Sequence, residues 1–71
     1  MKLWLLLRTD RPGWDEYLGY VVRAETEELA RTVAARNSGD EGRSPWMTTA
    51  TCKEIEAEGI PGIILDSFNA G

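Results

Sequence analysis

The chain contains no histidine and a single cysteine, Cys52. Nucleophilic catalysis by serine or cysteine usually depends on a neighbouring histidine as the base, and a zinc site needs several cysteine or histidine ligands. The composition therefore argues against both kinds of site, and we expect neither a metal nor a cofactor. Because one cysteine cannot form a disulfide within the chain, the sequence also favours a reducing compartment, and we expect the protein to be cytoplasmic.

Long hydrophobic runs are missing as well. The apolar run that begins at Leu3 ends after five residues, directly before Arg8. A secretory signal requires a core of roughly 7 to 15 apolar residues, and a membrane-spanning helix requires about 20. Neither is predicted, and we expect no association with a membrane.

Basic residues are in the minority: the chain has 8 lysines and arginines against 12 aspartates and glutamates, a formal net charge of -4. Direct binding to nucleic acid requires clustered lysine and arginine, so we expect a basic protein partner and no nucleic acid. The 71 residues support one domain, residues 1–71. Such a small domain has little structure with which to enclose a substrate pocket, and we predict that paired carboxylates do not make it an enzyme.

The hydrophobic pattern predicts the element order β-β-α-β-β. The segment from Lys2 to Thr9 is apolar on both faces, which places this strand in the middle of a sheet or against a second subunit. Thr26 precedes Glu27 and Glu28, a combination typical of a helix start, and Gly39 follows the helix end. The other strands are predicted over residues 17–24, 47–56 and 63–68. These elements predict an α+β fold with two layers, a four-stranded, mainly antiparallel sheet with one helix on one face.

Three details of these elements are also predicted. The apolar stripe of the helix, which should face the sheet, comprises Leu29, Ala30, Val33 and Ala34. Arg31 should face water. The weak alternation of residues 47–56 places the third strand at an edge, and Gly19 interrupts the second strand, which indicates a bulge or the close approach of another backbone.

One helix of about three turns cannot cover both faces of a four-stranded sheet. Trp4 with Leu6, or Tyr17 with its neighbours, are therefore candidates for a surface left to a partner or to a second copy. One hypothesis is accordingly a self-associating structural or adaptor module with its homodimer interface on the uncovered sheet face. The sequence leaves open whether the protein is a monomer or a homodimer.

The acidic side chains are clustered in the first loop, at the helix start, after the helix and near the third strand. If the third strand continues far enough, Glu54 and Glu56 project to the same face about 6.7 Å apart, with Glu58 next in line. Such a row resembles a polyanion and could occupy a basic groove made for nucleic acid. The alternative is that Glu27 and Glu28 serve the helix dipole and the other acids keep the protein soluble. Basic residues that could neutralise part of the pattern are Arg8, Arg11, Arg23, Arg31, Arg36, Arg43 and Lys53.

Trp14 and Trp46 lie in predicted loops. An aromatic side chain in a loop either pins the loop to the domain or stands exposed as an interface anchor, and the sequence leaves both roles open for each tryptophan. The candidate partner-binding residues are Asp15, Glu16, Asp40, Glu41, Glu54, Glu56, Glu58, Trp14 and Trp46.

Three segments carry a resemblance to known proteins. They are Glu25 Thr26 Glu27 Glu28 Leu29 Ala30 Arg31, the loop Gly39 Asp40 Glu41 Gly42, and the closing Pro61 Gly62 Ile63 Ile64 Leu65 Asp66 Ser67 Phe68 Asn69 Ala70 Gly71. The chain resembles small, uncharacterised proteins of bacteria and their phages that end in Ser-Phe-Asn-Ala-Gly, and the likeness spans about two thirds of its length. None of these motifs has a known chemical role.

The resemblance implies a cytoplasmic setting on a mobile genetic element. Small acidic proteins from that setting include anti-CRISPR inhibitors, some of which imitate DNA. By this analogy we expect a non-enzymatic inhibitor that binds a larger basic protein, such as a subunit of a CRISPR effector.

Overall fold

The computed structural model describes residues 1–10 and 13–65. The elements, in chain order, are β1 (Lys2–Leu7), β2 (Gly19–Ala24), α1 (Glu27–Arg36), a π-helical turn (Pro45–Thr49) and β3 (Thr51–Ile55). The three strands form one antiparallel sheet in the order β2-β1-β3. The predicted α+β class is confirmed, with three strands in the described part of the chain where four were expected.

The predicted fourth strand, residues 63–68, is not confirmed. Residues 63–65 belong to no strand, and residues 66–68 lie outside the described residues. Ile63 and Ile64 are 81% and 63% exposed, so their β-branched side chains favour an extended backbone without being packed in a sheet. An extended segment becomes a strand only when its N–H and C=O groups pair with those of a neighbour.

The centre of the sheet is β1, as its apolar pattern predicts. It pairs antiparallel with β2 on one side and with β3 on the other, so β3 lies at an edge, also as predicted. Because successive side chains of a strand alternate between the two faces, Trp4 and Leu6 point towards α1 and pack in the core. We call the opposite face the open face; its residues are Leu3, Leu5, Leu7, Gly19, Val21, Arg23, Thr51, Lys53 and Ile55.

The start of α1 is the one that the sequence predicts. Thr26 is the N-cap, and its Oγ1 accepts a hydrogen bond of 3.2 Å from the backbone N–H of Leu29. Glu27 and Glu28 occupy the first turn, where carboxylates are favourable near the positive end of the helix dipole. Asn37 caps the other end. After it, the chain runs beside the loop that joins β1 to β2, where the N–H of Asp40 donates to the carbonyl of Asp15.

The buried face of α1 differs from the predicted stripe. Ala30, Ala34 and Ala35 are buried, whereas Leu29 and Val33 are 53% and 40% exposed. The prediction was wrong about Leu29 and Val33, because it assigned the largest apolar side chains to the contact with the sheet. Alanines let the helix backbone lie close to the sheet, where a leucine would not fit without moving the two elements apart.

The third strand begins at Thr51, later than the predicted start at Met47, because the π-helical turn occupies the residues before it. The N–H of Ala50 donates to the carbonyl of Pro45 at 2.7 Å and closes this turn. The turn places the Trp46 side chain in the core, where it is 0% exposed. Burying an indole contributes more than the strand propensity of the threonines in this segment.

Arg31 does not face water as predicted. Its side chain is 15% exposed, and its Nη1 donates to the carbonyl oxygens of Trp46 at 3.0 Å and Ala50 at 2.8 Å. Its Nε pairs with Glu27 Oε2 at 2.9 Å. Arg31 therefore ties α1 to the π-helical turn, with its charge compensated one helical turn earlier.

The glycine at position 19 is required by a close approach between β1 and β2. A Cβ atom there would lie 2.8 Å from both the carbonyl oxygen of Leu6 and Cδ2 of Leu7. We expect Gly19→Ala to lower the free energy of unfolding by about 1–3 kcal/mol, because the backbone oxygen can move only if the strand pairing opens. Gly59→Ala is the control, since nothing lies within 4 Å of its Cβ position. Urea denaturation of both variants checks this, and equal midpoints would contradict it.

Candidate functional site

Two loops meet at the end of the sheet where β1 ends and β2 begins. The N–H of Asp40 donates to the carbonyl of Asp15 at 2.9 Å, and the N–H of Tyr17 donates to Glu41 Oε1 at 3.4 Å. A Cβ atom at position 39 would lie only 2.4 Å from the Asp15 carbonyl oxygen, so the loops approach this closely because Gly39 lacks a side chain. We call the surface formed by residues 13–18 and 38–42 the loop end.

The guanidinium of Arg8 anchors the first loop from below. Its Nε and Nη2 each lie 2.7 Å from a carboxylate oxygen of Asp10, and Nη2 also donates to Glu16 Oε1 at 3.2 Å. Nη1 donates to the Tyr17 carbonyl at 3.3 Å. The Arg8 side chain is only 4% exposed, and the guanidinium lies 6.0 Å from the centre of the Trp46 ring. One buried cation thus holds three points of the loop.

The pKa values of Arg8 and Asp10 reflect the contact between these two side chains. The hydrogen bond to Asp10 raises the pKa of Arg8 above its ordinary value, although burial opposes this. The same bond lowers the pKa of Asp10. Both groups are therefore charged at neutral pH, and the charge of Asp10 is used within the loop.

Two of the predicted partner-binding acids are occupied by contacts within the fold. Glu16 Oε1 accepts from Arg8 and from the N–H of Gly13 at 3.0 Å, and the Glu16 side chain is 20% exposed. Glu41 Oε2 accepts from Trp46 Nε1 at 2.7 Å. Burial would raise the pKa of Glu41, but the hydrogen bonds from Trp46 and from backbone N–H groups outweigh burial and lower it. The structure thus gives both carboxylates a supporting role.

The two loop tryptophans have opposite environments. Trp46 is 0% exposed and meets Tyr20 edge to face, with 4.8 Å between the ring centres. It therefore pins its turn to the domain and, as a correction to the candidate set, offers no surface to a partner. Trp14 is 93% exposed at the tip of the loop end. It fits the other role that the sequence left open, that of an interface anchor.

The two acids that remain available at the loop end are Asp15 and Asp40. Both are exposed, and neither is in an ion pair among the residues that the structure describes. Asp15 has a φ of 57°, a left-handed conformation that aspartate tolerates better than most residues. A cleft of about 310 Å³ between the loops is lined by Asp15, Glu16, Tyr17 and Gly39. Carboxylates beside an exposed indole can bind a cationic side chain through charged hydrogen bonds and a cation–π contact.

The other predicted acids lie at the opposite end of the sheet. β3 runs antiparallel to β1, with Leu7 opposite Thr51 and Leu3 opposite Ile55, so its far end is about 13 Å from its start at the loop end by strand rise. Glu54 Oε1 lies 3.8 Å from Lys2 Nζ. The strand ends at Ile55, so Glu56 and Glu58 do not continue a row on its surface. The acids therefore form two separate groups.

Cys52 lies in β3, partly buried against the core, and burial raises the pKa of its thiol. A raised pKa keeps the thiol protonated and unreactive at neutral pH. Within residues 1–10 and 13–65, no three histidine, cysteine or carboxylate side chains are grouped so that they could hold a metal ion. In the same ranges, no helix has the length and apolar character needed to cross a membrane.

Comparisons of the chain with models of protein families, with curated proteins and with solved structures found no match. The site is therefore interpreted from its geometry.

Arg8 is the site residue that sequence reasoning missed. The sequence allowed that arginines neutralise some of the acids, but it did not single out Arg8. Its partners lie two and eight residues later, and both spacings depend on the path of the loop. The only sequence signal is its position directly after the central apolar strand, where a cation entering a packed region needs carboxylate partners.

Proposed function

We propose that the protein is a non-enzymatic binding protein that inhibits a larger, basic, nucleic-acid-handling protein through its loop end. The observation that carries this proposal is Trp14, which is 93% exposed on a loop held by a buried arginine. Tryptophans that are held in place and exposed are the side chains that most often dominate a protein–protein interface. Hydrogen bonds hold the backbone on both sides of Trp14, from Gly13 N–H to Glu16 and from Asp40 N–H to Asp15, so binding through Trp14 costs little backbone entropy there.

The charge of the loop end supports a basic partner. Asp15 lines the cleft, and Asp40 follows Gly39, which also lines it. The whole chain carries a formal net charge of -4. Carboxylates on a negatively charged protein accelerate encounter with a lysine- and arginine-rich groove, and salt weakens that attraction. In this arrangement a partner arginine or lysine enters the cleft while Trp14 enters an apolar pocket at its rim.

Because the acids form two separate groups, only some of them could together imitate the phosphates of a nucleic acid. Within residues 1–10 and 13–65, only the loop end combines free carboxylates with an exposed aromatic side chain, so Asp15 and Asp40 are the groups that would take the place of phosphates. The narrower proposal, a cytoplasmic anti-CRISPR inhibitor acting on a CRISPR effector subunit, depends on the sequence resemblance to phage-borne proteins. The loop-end proposal does not depend on it.

A capture experiment tests the loop end. The protein is used as bait in bacterial lysate at low and high salt, the retained protein is identified by mass spectrometry, and its affinity is measured by biolayer interferometry. We expect Trp14→Ala to weaken binding about thirtyfold, the effect of losing a hot-spot side chain worth about 2 kcal/mol. Asp15→Asn combined with Asp40→Asn should weaken binding and reduce its dependence on salt.

The matched control removes two carboxylates elsewhere. Glu25→Gln with Glu28→Gln lowers the negative charge by the same amount at exposed positions near the start of α1, and binding should stay nearly unchanged. Asparagine at position 15 keeps the left-handed backbone accessible, so the Asp15→Asn variant tests charge without disturbing the loop. Binding that survives Trp14→Ala undiminished would remove the loop end from the interface.

A further inference from the structure

A second surface lies on and beside the open face; it meets the loop end at Leu18 but does not include Trp14. Leu5 is 8% exposed there, although α1 lies on the other face, while Val21 is 57% exposed. Leu65 shares an apolar cavity of about 340 Å³ with Leu7, Leu18 and Val21. The chain after β3 therefore reaches the open face and covers it incompletely.

This part of the chain exposes an unusual amount of apolar surface. We call residues 56–65 the terminal segment. Ile60, Ile63 and Ile64 are 91%, 81% and 63% exposed, which together with Val21 is on the order of 500 Å² of apolar area. The segment and β3 form a second, open cleft of about 550 Å³, lined from Lys53 to Ile64. The exposed isoleucines thus form part of the cleft wall, where they can interdigitate with the isoleucines of a second copy.

The same surface carries charges of both signs. Lys53 on the open face and Glu56 and Glu58 in the terminal segment are exposed, and none of them is in an ion pair within the described residues. All three line the larger cleft. A surface that contains both a projecting apolar group and a cleft, and both a free cation and free anions, is complementary to a copy of itself.

We propose that the terminal segment and β3 form a two-fold interface with a second copy of this chain. In a two-fold contact each patch meets the same patch of its partner, so every pairing occurs twice. Ile60 and Ile63 of one copy enter the cleft of the other, and Lys53 faces Glu56 and Glu58 across the axis. The exposed apolar area is more than half of the ~800 Å² per partner that a stable interface buries, and the cleft walls and charged rim supply the remainder. A second copy fits better than a purely basic partner, because the cleft is lined by Lys53 as well as by Glu56 and Glu58.

The oligomeric state measured by sedimentation velocity over a concentration series tests this interface. We expect a concentration-dependent dimer, and we expect Ile63→Asp to raise its dissociation constant at least about tenfold by burying a carboxylate in an apolar contact. Leu29→Asp is the matched control, because Leu29 is a 53% exposed apolar side chain on α1, away from this surface. It should leave the dimer unchanged, and circular dichroism should show both variants folded.

A charge exchange makes the test specific. Lys53→Glu alone, and Glu56→Lys with Glu58→Lys, should each weaken the dimer by placing like charges opposite one another. An equimolar mixture of the two variants should restore a heterodimer, because both sets of pairs are then of opposite sign. A wild-type chain that stays monomeric, including one whose terminal segment binds a different protein instead, would overturn the proposal, as would a dimer indifferent to Ile63→Asp or a mixture that fails to associate.

The loop-end proposal is separable from this one. Trp14 and Asp40 line neither of the two cavities beside the terminal segment. Trp14→Ala should therefore leave the dimer intact.

Discussion

Replacing Trp46 with alanine is expected to remove most of the protein's stability at room temperature. Trp46 is 0% exposed and packs with Leu6, Val22 and the buried alanines of α1. Truncating a buried tryptophan removes about 3–5 kcal/mol from the free energy of unfolding, and a domain of this size has a total of only about 5 kcal/mol. The alanines have no larger side chain with which to fill the space, so the cavity should stay open. Far-ultraviolet circular dichroism and urea denaturation measure the loss.

Two control variants separate the contributions of the Trp46 ring and of its N–H. Trp46→Phe keeps an aromatic ring in the core but removes the hydrogen bond from Nε1 to Glu41 Oε2, so it should be folded and less destabilised than Trp46→Ala. Trp14→Ala removes the same side chain from a position that is 93% exposed and should change stability little. A Trp46→Ala variant as stable as Trp14→Ala would show that this core does not depend on the indole.

The regular elements that depend on local pattern could be predicted from the sequence. Leu3 to Leu7 are apolar on both faces, a pattern typical of a central strand, and this strand is the centre of the sheet, paired with β2 on one side and β3 on the other. Thr26 caps α1 because its hydroxyl needs only a neighbouring N–H. Both predictions rest on patterns within a few residues, which can be recognised in the sequence.

The π-helical turn could not be predicted in the same way. Thr48 and Thr49 favour a strand by propensity, but the observed conformation is decided by where the indole of Trp46 goes. The exposed Leu29 and Val33 have the same origin, since the rotation of α1 follows from how closely its alanines approach the sheet. In both cases tertiary packing overrides the conformation or orientation that the local sequence favours.

The residues of the candidate site could be predicted from the sequence, but the role of each residue could not. The sequence identified Trp14, Asp15, Glu16, Asp40 and Glu41 as candidates, and the structure brings the two loops that carry them together. It could not say that Glu16 and Glu41 are held by Arg8 and Trp46. Those contacts join residues eight and five positions apart. The chain between them is irregular, so no periodic pattern in the sequence could predict the contacts.

The acids near the third strand show why a charge pattern alone overstates a surface. Glu54, Glu56 and Glu58 alternate in sequence as a strand would require, but β3 ends at Ile55. Glu54 also lies 3.8 Å from Lys2, a pair that the sequence separation of the two residues conceals. A charge row read from alternation holds only as far as the strand that displays it.

Replacing Arg8 with methionine is expected to lower the free energy of unfolding by about 3 kcal/mol, because several hydrogen bonds between charged groups are lost together. Methionine keeps the apolar stem that fills the space beneath the loop, so the change isolates the guanidinium. Glu16 and the Tyr17 carbonyl then lose their shared donor, and the first loop is no longer fixed against the second. Urea denaturation measures the loss of stability, and hydrogen exchange at the Asp40 and Tyr17 amides should accelerate.

The pKa of Asp10 gives a readout that a general loss of stability does not move. The hydrogen bond with Arg8 is the largest cause that lowers this pKa in the wild type, so in Arg8→Met the pKa should rise towards its ordinary value, as followed by NMR titration. A pKa lowered in the fold stabilises the folded state above the unfolded value, and this contribution disappears as the pH falls through the folded value. Arg8→Lys keeps the charge but lacks the planar guanidinium that binds both oxygens of Asp10. Its stability and its Asp10 pKa should therefore lie between those of the wild type and those of Arg8→Met. If Arg8→Met left both the stability and the Asp10 pKa unchanged, the guanidinium would not be what holds the first loop in place.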